Sequence, residues 1–191
     1  MHNFFIIHGS DGYPEENWFP WLSDKLSEEG QKVFVPQFPT QDGHRLEKWR
    51  AKLEEYAEYV NEKTIFVAHS RGCAFVWRIL ESLGKPISAA FLVGGFSEYL
   101  WYPKPDNSVD SFFEKPFDWK KIKANCPYFK VYLSDNDPYV PVDEGEKIAQ
   151  FLGIKVSLIK NAGHFNTESG FNTFPQLLDD IKDYLQSESS H

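Results

Sequence analysis

Thr64-Ile65-Phe66-Val67-Ala68-His69-Ser70-Arg71-Gly72 joins an apolar run to a serine and a glycine in the first half of the chain. Thr64 to Ala68 is a short apolar run, the pattern of a buried strand. Beyond Gly72, Cys73, Val76, Trp77 and Leu80 recur at helical spacing. The stretch therefore reads as strand, tight turn, helix, with Ser70 at the tip. It is one glycine short of G-x-S-x-G, the elbow that lifts a nucleophilic serine above a sheet. Small residues two before and two after the serine let strand and helix pass closely. Here they are Ala68 and Gly72, and alanine adds one methyl group that such a turn can tolerate.

A serine hydroxyl is a weak nucleophile and needs a base, and the base needs an acid to orient it. Downstream, Ser134-Asp135-Asn136-Asp137-Pro138-Tyr139-Val140-Pro141 offers the acid and Asn161-Ala162-Gly163-His164-Phe165 the base. The chain order serine, acid, histidine is the one that accompanies this type of elbow. Asp135 competes with Asp137. The pattern Asp-x-x-Val-Pro, with its proline opening a helix, favours Asp137 and leaves Asp135 to bond turn backbone. Ser70 as an ordinary helix cap and His164 as a solvated loop residue are the weaker readings.

The rest of the chain alternates strands and helices. Strands are expected at Asn3 to Ile7, Val33 to Val35, Thr64 to Ala68, Ile87 to Val93, Tyr128 to Leu133 and around Val156 and Leu158. Helical faces are marked by Trp18, Trp21, Leu22 and Leu26, and by Leu46, Trp49, Leu53, Tyr56, Ala57 and Val60. They recur in the elbow helix to about Leu83, at Ile148 to Leu152, and at Phe174 to Leu185. Such alternation implies a parallel sheet covered on both faces. Ser70, Asp137 and His164 then each follow the carboxyl end of a strand, where open α/β sheets bind ligands. The segment 96–117 breaks the pattern. It is rich in aromatics and reads as a short lid over the site; an ordinary connection whose aromatics fill the core is the alternative.

A chain of 191 residues is expected to form one domain over 1–191. A net charge of −8 without a basic run argues against nucleic acid as a partner. Cys73 and Cys126 form neither a metal-ligand spacing nor a disulfide framework. The start, Met1-His2-Asn3-Phe4-Phe5-Ile6-Ile7, reads as a first strand rather than a leader, and no segment has the length and apolarity of a bilayer span. A reducing, cytoplasmic setting is the expectation. No Walker loop, G-x-G-x-x-G or H-E-x-x-H is present, so neither cofactor nor metal is expected.

Taken together, these segments resemble an α/β-hydrolase and, more closely, the small serine hydrolases of the retinoblastoma-binding protein 9 family. The resemblance covers nearly the whole chain. It is carried by His8-Gly9-Ser10, by Pro14-Glu15-Glu16-Asn17-Trp18-Phe19-Pro20-Trp21-Leu22, by His69-Ser70-Arg71-Gly72, by Asp137-Pro138-Tyr139-Val140-Pro141 and by Gly163-His164-Phe165. The resemblance implies a minimal α/β-hydrolase sheet of about six strands, with Ser70 as nucleophile, Asp137 as acid and His164 as base. Ala68 departs from the family's first elbow glycine. The chain also lacks the Leu-x-Cys-x-Glu segment linked to retinoblastoma-protein binding, so no motif for a protein partner is found.

An oxyanion hole needs backbone N–H groups aimed at developing charge. One is expected from Arg71, and the second from Ser10, with Gly9 and Asp11 as its neighbours and competitors. His8 is expected to support that loop, His69 to pack beneath the site and His44 to be solvated. Cys73 reads as a buried, inert thiol, and Trp18 and Trp21 as core. Phe96, Trp101 and Phe165 are candidate pocket residues. The expected activity is Ser-His-Asp hydrolysis of a small carboxylic ester through an acyl-enzyme, with thioester and amide left open. A protein-binding scaffold with an idle triad is the rival.

Overall fold

The computed structural model describes residues 1–40, 45–100 and 110–189. Six strands, β1 (Asn3–Ile7), β2 (Lys32–Phe34), β3 (Thr64–His69), β4 (Ala89–Val93), β5 (Phe129–Ser134) and β6 (Ser157–Ile159), form one sheet in the order β2-β1-β3-β4-β5-β6. Every neighbouring pair is parallel. Parallel pairing needs crossovers, and these contain α1 (Phe19–Glu28), α2 (Leu46–Glu54), α3 (Arg71–Leu80), α4 (Trp119–Asn125) and α5 (Asp143–Leu152), with α6 (Pro175–Ser189) closing the chain.

Alternation along each strand builds two cores. Phe5, Ile7, Phe66, Ala68, Ala90 and Leu92 face one side, against Trp49, Phe75, Trp77, Ile122 and Ile148 from α2 to α5. Phe4, Ile6, Ile65, Val67, Phe91 and Val93 face the other, against Phe19, Leu22, Leu177 and Ile181 from α1 and α6. Central strands buried on both faces read as continuous apolar runs, as β1 and β3 do. Edge strand β6 is half covered, with Leu158 exposed.

Two helical features differ from the sequence expectation. The second helix ends at Glu54 and continues as a short 3-10 turn, Ala57–Tyr59, instead of running to Val60. The Tyr56 N–H turns to the Leu53 carbonyl, three residues back, which tightens the chain there. Helix α4 was not foreseen: it buries only Ile122 and so lacks an apolar stripe, although Asp118 caps it by accepting from the Lys121 N–H. In the expected lid segment, Phe112 is buried against Trp49 and Phe75, and Phe113 stacks on Phe96 at 5.4 Å, so these rings fill the core. Tyr99 alone of the described aromatics in 96–117 lines the cleft described below. Trp101, like His44, lies outside the described residues.

Strand β1 lies between β2 and β3, so the chain leaves the neighbouring strands β1 and β3 in opposite directions across the sheet. Such a switch point opens a crevice at the carboxyl ends of the strands. The loop after β1 and the turn after β3 meet there.

Candidate active site

Ser70 sits between β3 and α3 with φ 53° and ψ −122°. That is a costly conformation for a residue with a side chain, and it persists only where the surroundings enforce it. Three contacts do so here. The Ser70 N–H donates to the Val93 carbonyl at 2.9 Å, and the Cys73 N–H donates to the Ser70 carbonyl at 3.0 Å. Gly72 lies so close to β1 that a Cβ on it would stand 2.7 Å from the carbonyl oxygens of Ile7 and His8. The preceding loop is equally close: a Cβ on Gly9 would fall 2.9 Å from that of Ser70. The first elbow position is more forgiving, since Ala68 is accommodated within the core.

His164 and Ser70 open on the same cleft. His164 Nδ1 lies 2.7 Å from Asp137 Oδ2, and the Asp137 side chain is completely buried. The other oxygen, Oδ1, accepts the N–H groups of Tyr139 at 2.8 Å and Val140 at 3.1 Å. Asp135 faces elsewhere and accepts the Asn161 N–H at 2.7 Å. The carboxylate beside the imidazole is thus that of Asp137. A buried, hydrogen-bonded carboxylate fixes the ring orientation and places the ring proton on Nδ1, leaving Nε2 with a lone pair.

The loop bearing His164 is held from several sides. The side chain of Ser134 accepts the Ala162 N–H at 3.1 Å and that of Asn136 the Gly163 N–H at 2.8 Å. Trp18 Nε1 donates to the Phe165 carbonyl at 3.1 Å, and Asn17 Oδ1 accepts the Thr167 N–H at 2.9 Å. The Asn17-Trp18 pair of the sequence therefore grips the histidine loop from the start of α1. His69, directly before the serine, bonds the His164 carbonyl through Nε2 at 2.7 Å. Burial, and then the neighbouring His164, push the His69 imidazole down to about 3, so the ring is neutral and donates from Nε2.

The loop after β1 carries Ser10, whose Oγ accepts a hydrogen bond from Arg71 Nε at 2.7 Å. His8 is buried and supports this loop from below: Nδ1 donates to the Gly9 carbonyl at 2.8 Å while Nε2 accepts the Phe38 N–H at 2.9 Å. Cys73 is buried, and burial pushes its thiol well above the usual range.

The cleft has a volume of about 800 Å³, within the usual range for small-molecule sites. Beyond Ser70, His164, Ser10 and Arg71, its walls include Tyr13, Tyr99 and Tyr139, together with Asn17, Glu16, Asn166 and Glu168. Tyr139 meets the His164 ring edge to face at 5.0 Å between centroids. Two expected pocket residues belong elsewhere. Phe165 is fully buried, stacked on Phe174 at 5.6 Å, and Phe96 is buried with Leu133 and Val140. The Phe165 ring turns away from the cleft although His164 beside it lines the wall, which proximity in sequence does not reveal. Tyr13 and Tyr139 were missed, although Tyr139 stands within the Asp-x-x-Val-Pro pattern, while Tyr99 comes from the aromatic segment expected over the site. Among the described residues, no group of three or more His, Cys, Asp or Glu side chains could hold a metal ion.

A parallel α/β sheet with a serine on a strained turn at its switch point defines an α/β-hydrolase. The chain belongs to the serine hydrolase family, whose model matches residues 4–183. It is 31% identical to YdeN of Bacillus subtilis (strain 168) over 187 residues, 97% of each chain. The crystal structure of that ydeN gene product superposes with a TM-score of 0.88, covering 97% of this chain and 100% of that one. The serine hydrolase RBBP9 of Rattus norvegicus is 28% identical over 184 residues, 94% of each chain. Est1E from Butyrivibrio proteoclasticus shares the fold at 16% identity, with a TM-score of 0.73 over 100% of this chain and 89% of that one.

Proposed function

We propose that the protein hydrolyses small carboxylic esters through an acyl-enzyme on Ser70. The observation that carries this reading is the 2.7 Å contact of His164 Nδ1 with the buried Asp137 carboxylate, on the cleft that Ser70 enters from its strained turn. Ser70 Oγ attacks the carbonyl carbon, and His164 Nε2 takes its proton. Asp137 holds the imidazolium that forms. The oxyanion is received by the backbone N–H groups of Arg71 and Ser10. His164 then gives its proton to the leaving alkoxide, and water, activated by the same imidazole, releases the acid.

Tyr13, Tyr99 and Tyr139 offer apolar ring surface with polar rims. We take the substrate to be an ester with one aromatic or otherwise apolar group. Thioesters and amides use the same residues; of the three, the amide carries the poorest leaving group. Two buried free thiols, Cys73 and Cys126, suit a reducing cytoplasm. Among the described residues no helix is long and apolar enough to cross a membrane.

The test is turnover of p-nitrophenyl acetate, a matched thioester and a matched anilide by wild type and Ser70→Ala. The reading expects ester hydrolysis that disappears in Ser70→Ala. Equal turnover by both proteins would refute it, and a folded wild type inert toward all three would favour a binding role.

A further inference from the structure

Helix α3 carries two buried arginines, Arg71 and Arg78. Seven residues are nearly two helical turns, so both leave the helix on the same side. That side meets the segment beginning at Asp110. Arg78 Nε donates to the Phe112 carbonyl at 2.8 Å, and its Nη2 donates to the Lys115 carbonyl. Arg78 does not line the cleft, and its contacts tie α3 to the backbone of this segment.

Arg71 faces the cleft. Its Nη1 donates to the carboxylate of Asp110, and the two side chains are only 8% and 5% exposed. Little water screens such a pair, and its geometry is correspondingly well fixed. Phe112 packs near the guanidinium, 5.4 Å from its centre. From this braced position Nε donates to Ser10 Oγ at 2.7 Å. Ser10 itself is exposed, between Gly9, which lacks a side chain, and Asp11, which takes a left-handed φ of 54°. Ser10 is thus the exposed tip of a loop whose flanking Gly9 and Gly12 are buried, and the arginine supplies an anchor for its side chain.

We propose that Arg71 is a positioning residue: its guanidinium, braced by Asp110, holds Ser10 so that the backbone N–H of residue 10 faces the oxygen of the carbonyl attacked by Ser70. The proposal rests on the acyl-transfer reading of the cleft. Arg71 then acts twice, through its own N–H on the oxyanion and through its side chain on the loop that bears the second donor. Asp110, in a segment that otherwise fills the core, becomes part of the same chain of contacts.

The experiment measures p-nitrophenyl acetate hydrolysis and inhibition by a neutral trifluoromethyl ketone, which forms a tetrahedral adduct on a reactive serine. Wild type, Arg71→Met, Ser10→Ala and the double variant are compared, each normalised to sites titrated with a fluorophosphonate. These substitutions keep both backbone N–H groups. Loss of a whole oxyanion donor costs about 10²–10³ in kcat, so misplacing one is expected to cost about tenfold to a hundredfold in Arg71→Met, with KM nearly unchanged. Ketone affinity should fall in proportion to kcat. The double variant should be no slower than the slower single one, because both cut the same link.

Ser10→Ala changes an exposed residue and serves even where Arg71→Met does not fold; its kcat per site should fall about threefold or more. An unchanged kcat per site in Ser10→Ala would overturn the proposal. So would single losses that multiply in the double variant, or a loss confined to KM, which would mark Arg71 as a substrate-binding group. A wild type that neither labels nor turns over is a different result: the acyl-transfer reading falls, and this proposal with it.

Discussion

His69 donates from Nε2 to the carbonyl of His164, 2.7 Å away, so the residue before the elbow serine holds the backbone of the residue that faces it across the cleft. Only a neutral ring buried without a counter-charge is stable there, and burial holds the His69 imidazole down at about 3. An unfolded histidine takes up its proton near 6.5. Between those two values the unfolded chain binds one more proton than the folded one at this site.

Stability attributable to His69 is therefore fully present above about 6.5 and is lost as the pH falls toward about 3. Urea unfolding at a series of pH values should show a steeper acid limb for wild type than for His69→Gln, which cannot titrate. The two slopes should differ by up to one proton. Parallel limbs would contradict the buried neutral assignment.

The strain at Ser70 predicts a trade between activity and stability. Glycine tolerates φ 53° without the cost borne by a side chain. Ser70→Gly should be inactive yet more stable than Ser70→Ala by about 1 kcal/mol. Thermal unfolding of the two inactive variants reads this directly; equal stabilities would show the turn to be unstrained.

Gly72 and Ala68 flank the same serine but tolerate change differently. A Cβ at Gly72 would press on two backbone carbonyls at 2.7 Å, and backbone cannot rotate away. Gly72→Ala should destabilise by about 2–3 kcal/mol, at the upper end for overpacking, and separate β1 from α3. Ala68→Gly, which only deletes a methyl, should cost about 1 kcal/mol. Denaturant midpoints check the order.

The two aspartates after β5 should separate cleanly. Asp137→Asn would disturb the ring tautomer set by the 2.7 Å contact and lower kcat by about 10⁴ with little change in KM. Asp135→Asn keeps an oxygen for the Asn161 N–H and should stay within about threefold of wild type. Steady-state kinetics of both variants on p-nitrophenyl acetate decide the matter.

Most of the sheet was legible because its strands are buried on both faces and bounded by glycine, proline or polar turns; β1 and β3 match their apolar runs closely. Ser70 and His164, which line one cleft, and Asp137, which bonds His164, each sit in a local pattern of a few residues. Helix α4 was hidden by its single buried residue. The side-chain role of Arg71 was hidden for another reason. Its partners Ser10 and Asp110 lie 61 and 39 residues away, and no periodicity links them. The pocket residues failed for a third: Phe165 follows His164 in sequence, yet its ring packs beneath the loop on Phe174. Local patterns point to the proposed reacting groups, whereas the surrounding wall is a product of the fold.

The most direct measurement is covalent labelling with a fluorophosphonate, followed by mapping of the modified residue. Rapid labelling at Ser70 is expected in wild type, slower labelling in His164→Ala and Asp137→Asn, and none in Ser70→Ala. A folded wild type that resists the reagent, or a label on any other residue, would contradict a nucleophilic Ser70.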